Sequence, residues 1–430
     1  DWFHQNKPLD TILDCSHTGV MTHTLHSAAT PAALPPRRGF THGSGFWVVA
    51  GAFLIAMAFS VVPTPLWTLY QARDSFSTFA ITVAFAAYAV GVLASLFLAG
   101  HLSDRVGRRV ILLPAIVLEV LAAVLFIVWN TLPGLIVDRV IAGLGIGMIT
   151  ATATAFIFEL HSHARPEHGR TRSDIVSTAA NLGGFAVGAV VSGILAQYVS
   201  QPLVTPFVVF IVLLALAAIG IAFVPETVTS STGRAPYRPQ RIRVPRAARG
   251  RYFAAAAIAF GGFSLFGLAT SLAPAFVAGD LGVTSKAIGG LVVFLTFASA
   301  VGTQLLVRSA KLATQVTIGI IMMGLGLASL TIGVWSSSLA LFIIGGILAG
   351  GGAGLLFKSG LLVGSGLAEP QFRGEALAGL FLFSYIGLVV PVLGVGTATL
   401  FVPLAITLLW FAVFMTAVVI AGGIAIIRGR

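Results

Sequence analysis

Twelve apolar runs, each ended by a short polar or basic stretch, divide the chain. Every run is close to the roughly 20 residues an α-helix needs to cross hydrocarbon. The pattern predicts helix 1 at about 45–70, helix 2 at 78–100, helix 3 at 110–130 and helix 4 at 134–160. Helix 5 follows at 174–199, helix 6 at 203–224, helix 7 at 252–278 and helix 8 at 286–307. Helices 9 to 12 fall at 313–335, 338–362, 377–398 and 401–427. Residues 1–43 form a polar, irregular tail with His4, His17, His23 and His26. Met21 opens a plausible short tail, so Met21 is expected to be the natural start and the residues before it extraneous. No basic stretch followed by an apolar core opens the chain, and no cleaved signal peptide is expected.

Composition turns these runs into membrane spans. Of 430 residues, 57% are hydrophobic and 9% charged, and mean hydropathy is +0.98. A soluble domain carries about 25% charged residues. The net charge of +11 is not a nucleic-acid signal here, because the basic residues sit between apolar runs. They gather after helices 2 and 4, in a linker at 225–251, and after helices 8 and 10. Loops of the other parity hold only Arg73 and Lys286. Positive loops stay inside, so both termini and the linker are expected to be cytoplasmic in a plasma (inner) membrane. The linker separates a first six-helix bundle, 44–224, from a second, 252–430. Single Cys15 allows no intrachain disulfide, and 49 glycines suit close helix packing in lipid.

The loop after helix 2 reads Gly100-His-Leu-Ser-Asp104-Arg105-Val-Gly107-Arg108-Arg109. This G-x-L-x-D-R-x-G-R-R pattern resembles the signature loop of the major facilitator superfamily of secondary transporters. Arg139, followed by Gly143, Gly145 and Gly147, resembles the family's helix 4 motif. Gly184, Gly188, Ala189, Ser192 and Gly193 on helix 5 resemble the antiporter motif G-x-x-x-G-P-x-x-G-G, with Ala189 in place of the proline and Ser192 in place of a glycine. A small-residue packing seam explains that stretch equally well. The resemblance implies an all-α membrane fold of twelve helices in two pseudo-symmetric six-helix bundles. It also implies gating contacts in which Asp104 with Arg373, and Arg108 with Glu159, latch the halves on the cytoplasmic side. Gly100, Arg105 and Gly107 complete the gating set.

Charges inside the bilayer are costly, about 2.5–3.5 kcal/mol each at the centre, and point to function. Glu119 in helix 3 and Asp138-Arg139 in helix 4 are the candidates for substrate or proton coupling. Asp138 equally fits an outer helix-end acid. Glu119 is a candidate partner for Arg139, although their backbones differ in depth by roughly 9 Å. Pro63, Pro65, Tyr88, Asn181 and Tyr385 are candidate cavity residues, with Phe260, Phe263 and Phe266 as further aromatics. Lys358 is expected to snorkel to the membrane surface. All nine histidines are assigned to the tail or loops, so no intramembrane relay or metal site is expected; nor does a phosphate-binding loop occur.

These features predict a non-enzymatic secondary transporter without cofactor. It moves a small amphipathic solute by alternating access, as a proton-coupled efflux antiporter and a monomer. Proton-coupled uptake of a small organic acid at Arg139 is the second reading. A membrane-embedded enzyme or sensor is the alternative of another class, but it wants convergent catalytic groups that the chain lacks.

Overall fold

The computed structural model describes residues 39–99, 103–228, 248–369 and 373–429; side chains are undescribed at 99, 104 and 105. Among them, twelve helices are long and apolar enough to cross a membrane. They are α1 (His42–Asp74), α2 (Thr78–Leu98), α3 (Arg108–Val128), α4 (Leu132–Ala164), α5 (Thr171–Tyr198) and α6 (Thr205–Ala222). The second set is α7 (Arg249–Ser271), α8 (Lys286–Leu306), α9 (Leu312–Trp335), α10 (Leu339–Gly366), α11 (Arg373–Ala398) and α12 (Leu404–Arg428). Side-chain hydroxyls cap several of them: Thr41 at α1, Ser77 at α2, Ser285 at α8 and Ser338 at α10 each accept from a backbone N–H.

The first helix of each set breaks at the same place. α1 leaves regular geometry after Ser60, because Pro63 and Pro65 supply no N–H, and passes through a 3₁₀ turn at Thr64–Leu66. α7 stops at Ser271, where the apolar run predicted an unbroken helix to 278. Pro274 opposes continuation, and a separate short helix follows at Ala273–Ala278. The hydroxyls of Thr270 and Ser271 turn back onto the Phe266 and Gly267 carbonyls at 2.7 and 2.6 Å, a local bonding that favours a bend.

Packing repeats with the same period. α2, α3 and α1 lie against α4, and α8, α9 and α7 lie against α10. α5 and α6 flank α1 as α11 and α12 flank α7. The two groups meet chiefly along α5 with α8 and α2 with α11. Such a parallel repeat builds its cavity where the groups face each other.

Glycine sets the α2–α4 crossing. A Cβ on Gly143 would strike the Tyr88 carbonyl and lie 3.0 Å from Gly91 Cα, and one on Gly147 would strike Ser95. α10 repeats the device, with Gly346, Gly350 and Gly354 against α8. Overpacking of a buried crossing costs about 1–3 kcal/mol. Gly143→Leu is therefore expected to lower the thermal unfolding midpoint of the detergent-solubilised protein. Gly183→Ala, at a position with nothing within 4 Å, should leave it unchanged.

Candidate functional site

A cavity of about 560 Å³ lies between the two helix groups. Its wall includes Thr154, Gln304, Ser365 and Leu377, which stand toward the ends of α4, α8, α10 and α11 nearest the basic loops. Leu362, also in the wall, is 60% exposed, so the cavity opens at this basic end. The opposite end is shut by helix contact. A side chain on Gly193 of α5 would collide with α8 at Lys286 and Gly290, and one on Gly396 of α11 with Thr82 of α2. Lys286 N also donates to Gln197 Oε1 across that seam at 2.9 Å.

The walls differ in character. The first group contributes most of the polar groups, among them Ser60, Thr150, Ser177, Asn181 and Arg139. The second contributes Phe263, Phe266, Phe297, Phe357, Phe381 and Tyr385. These rings interlock: Phe263 lies 4.5 Å from Phe357 and 5.5 Å from Tyr385, and Phe266 stacks on Phe297 at 4.8 Å. Tyr88, Asn181 and Tyr385 line the cavity as the sequence suggested; Phe260 does not. Pro63 and Pro65 are not in the wall either, and Thr64 between them is. The prolines act on the backbone instead. Their break leaves the Ser60 and Val62 carbonyls without helical donors. Arg139 Nη1 donates to the first at 2.8 Å and Ser192 Oγ to the second at 2.6 Å. Ser192, which replaces a glycine of the helix 5 pattern, thus tethers α5 to α1.

Arg139 is 4% exposed. Its guanidinium sits 4.5 Å over the Tyr88 ring, a cation–π contact strengthened by burial. Its Nε has no hydrogen-bond partner. Behind it, away from the cavity, Glu119 and Asp138 are both fully buried, and none of their carboxyl oxygens has a hydrogen-bond partner. The Tyr70 hydroxyl, within electrostatic reach of Asp138, is likewise unpartnered. Glu119 is within electrostatic reach of Arg139 and packs against Gly145, where a Cβ would overlap Oε1. The three glycines after Arg139 therefore serve two neighbours: Gly143 and Gly147 admit α2, and Gly145 admits the Glu119 carboxyl. Lys358 does not snorkel. It is a half-buried wall residue whose Nζ approaches the Gln304 carbonyl at 3.4 Å.

At the basic end, Arg108 reaches Glu159 with Nη2 to Oε1 at 2.6 Å and Nε at 3.2 Å to each oxygen, while Nη1 donates to Ser103 Oγ at 2.8 Å. Both residues belong to the first helix group. This pair braces that group and does not join the halves, as the latch expectation required. Gly107 takes φ +118, a conformation that favours glycine. Two partners escaped the sequence reading. Glu226, just past α6, caps the N-terminus of α3, accepting from Arg108 N at 2.9 Å and Arg109 N at 3.0 Å. Thr227 donates to Glu159 at 2.5 Å. Arg109 returns the favour at the end of α6, donating to the Ala222 carbonyl at 3.0 Å. The only hint in the sequence is an acid directly after a helix-ending proline in an otherwise basic linker. Losing one such anionic cap costs about 1 kcal/mol. Glu226→Gln is expected to lower the unfolding midpoint by a few degrees and to raise proteolysis of the 100–107 loop, read by limited digestion.

Gly100 and the Asp104 and Arg105 side chains lie outside the described residues, and with them the expected Asp104–Arg373 contact; Arg373 itself is exposed at the start of α11. His161 and His163, assigned to a loop, lie instead in the last turns of α4, because that helix runs on to Ala164. His161 is buried against Phe46 and His163 stacks on His42.

Two repeated six-helix groups around one central cavity, open at one end, define a membrane transporter of the secondary type. The Major Facilitator Superfamily profile matches residues 48–389, and the chain belongs to that superfamily. Among solved structures, a variant of the nucleoside transporter NupG is similar in fold, with a TM-score of 0.65 and 12% identity over 88% of this chain and 98% of that one. No curated protein matches the sequence significantly.

Proposed function

We propose that the protein is a proton-coupled exporter of small amphipathic organic solutes, working in the plasma membrane as a monomer with both termini in the cytoplasm. The observation that carries this reading is the cavity: one aromatic wall faces one polar wall, and the space is open at the end bearing the basic loops. By the positive-inside rule that end is cytoplasmic. An apolar face and a polar face suit a solute with both, and give few of the amide and carboxylate contacts a sugar needs. Glu119, buried without a hydrogen-bond partner beside Arg139, supports a proton site adjoining the solute site. Rocking of the halves then exposes the cavity to the other side, with Asp104 and Arg373 meeting as the cytoplasmic end closes.

A second reading, uptake of a small organic acid with a proton, is favoured by one observation: Arg139 lines the cavity, and among the described residues no aspartate or glutamate does. Everted vesicles containing the protein distinguish the two. Efflux predicts that an acid-inside gradient drives accumulation of an amphipathic solute. Solute movement indifferent to an imposed gradient in both vesicle orientations would rule out the coupling.

A further inference from the structure

The charges that face the cavity are all of one sign. Among the described residues, Arg139 and Lys358 line it and no aspartate or glutamate does. The acids nearest Arg139 stand behind it, without a hydrogen bond to it or to anything else. Among the described residues Lys358 forms no ion pair; its Nζ meets a backbone carbonyl, and the acid whose field reaches it is Asp174, exposed on α5. The cations are not repeat equivalents. Arg139 stands four residues before Gly143, and Phe342 fills the matching place before Gly346. By their positions along α4 and α10, Arg139 stands toward the closed end and Lys358 toward the open mouth.

From this we infer that the transported solute is an amphipathic organic anion, with its carboxylate or similar head at Arg139 and its aromatic or apolar body against Phe263, Phe266 and Tyr385. Lys358 is a specificity-determining residue: it draws anions into the mouth and repels cationic solutes of the same shape. A guanidinium lining a water-poor site is well matched to a planar carboxylate. An ammonium at the mouth needs no fixed geometry, because its task is long-range attraction, which is stronger between low-dielectric walls. A neutral or cationic solute would bring no counter-charge to two cations in a low-dielectric space. The inference rests on the cavity being the solute site, and deepens the export proposal by naming the charge of what it carries.

Three probes share one ring system and differ in charge: naphthalene-2-carboxylate, naphthalene-2-carboxamide and 2-(aminomethyl)naphthalene. Binding is measured calorimetrically to the full-length protein in nanodiscs of zwitterionic lipid, so that the lipid contributes no net charge. The carboxylate should bind about tenfold or more tighter than the carboxamide, as a charge-assisted contact implies, and the amine weakest. Arg139→Gln should remove most of that preference, and Lys358→Gln part of it, each read as the carboxylate-to-carboxamide affinity ratio within the variant. Lys358→Glu should turn the order toward the amine. Lys358 lies half-buried in the wall, so its variants carry the test alone if Arg139→Gln does not fold. Equal carboxylate and carboxamide affinity, no binding of any probe at millimolar concentration, or a preference that survives in Lys358→Glu overturns the inference. Anion preference without gradient-driven movement in vesicles overturns the export proposal instead, and gradient-driven movement of the carboxamide in preference to the carboxylate overturns only the anion.

Discussion

Arg139→Ala is expected to abolish transport, with solute counterflow falling at least about a hundredfold, which corresponds to roughly 3 kcal/mol. Three contacts disappear together. The Ser60 carbonyl, released by the proline break in α1, loses the donor that satisfies it. Tyr88 loses the cation over its ring. Glu119 and Asp138 lose the positive charge whose field reaches both of them. Arg139→Lys should separate these roles. It restores charge but not a planar guanidinium that can bond Ser60 and lie flat on Tyr88 at once. Lysine is therefore expected to recover thermal stability while counterflow stays about tenfold below wild type. Counterflow by Arg139→Ala at the wild-type rate would remove this residue from the transport site.

The parts of the fold visible in the sequence are those written in local composition. Twelve apolar runs become twelve spans, most with ends within a few residues of the prediction. The errors have a common cause. Hydropathy sees no difference between Leu272 as the middle of a span and Leu272 as a break, so the interruption of α7 before Pro274 passed unnoticed. The same blindness put Pro63 and Pro65 in the cavity wall, when their effect is to free carbonyls that Arg139 and Ser192 then take. Glu226 could not be read from its surroundings, because its partners Arg108 and Arg109 lie more than 100 residues upstream. The Lys358 prediction failed for a physical reason as well. A long cationic side chain near a helix end reaches the membrane surface only if it faces lipid, and Lys358 lines the cavity on a helix packed against α7, α8 and α9. By contrast, Arg108 and Glu159 sit at ends of neighbouring helices, where the resemblance placed them, yet helix order alone assigns both to one half.

That assignment changes what the charged cluster can do. Arg108, Glu159, Glu226 and Thr227 tie the start of α3, the end of α4 and the exit of α6 into one rigid corner. A rigid corner can transmit a rocking motion without breaking, whereas a latch between halves must break in each cycle. In the proposed cycle the first helix group would therefore move as a unit.

Glu119→Gln is expected to uncouple the protein from protons without stopping solute exchange. Glutamine keeps the shape and can neither gain nor lose a proton, so solute counterflow at zero gradient should stay within about threefold of wild type, an effect below roughly 1 kcal/mol. Accumulation driven by a pH gradient should vanish, because the exchangeable proton is gone. The position explains why the effect should be so selective. Glu119 does not line the cavity, so solute contacts are untouched. Its oxygens have no hydrogen-bond partners to lose. The Gly145 backbone lies against its carboxyl, so an isosteric amide fits where a larger group would not. In the proposed coupling the carboxyl would alternate between a neutral acid and a carboxylate balanced by Arg139, and the form present would set how much of the arginine's charge remains for the solute. Asp138 and Tyr88 also face that guanidinium, so Asp138→Asn is the necessary companion variant. If gradient-driven accumulation persists in Glu119→Gln and disappears in Asp138→Asn, the proton is carried on α4 and the role assigned to α3 is lost. If it persists in both, neither acid carries the coupling.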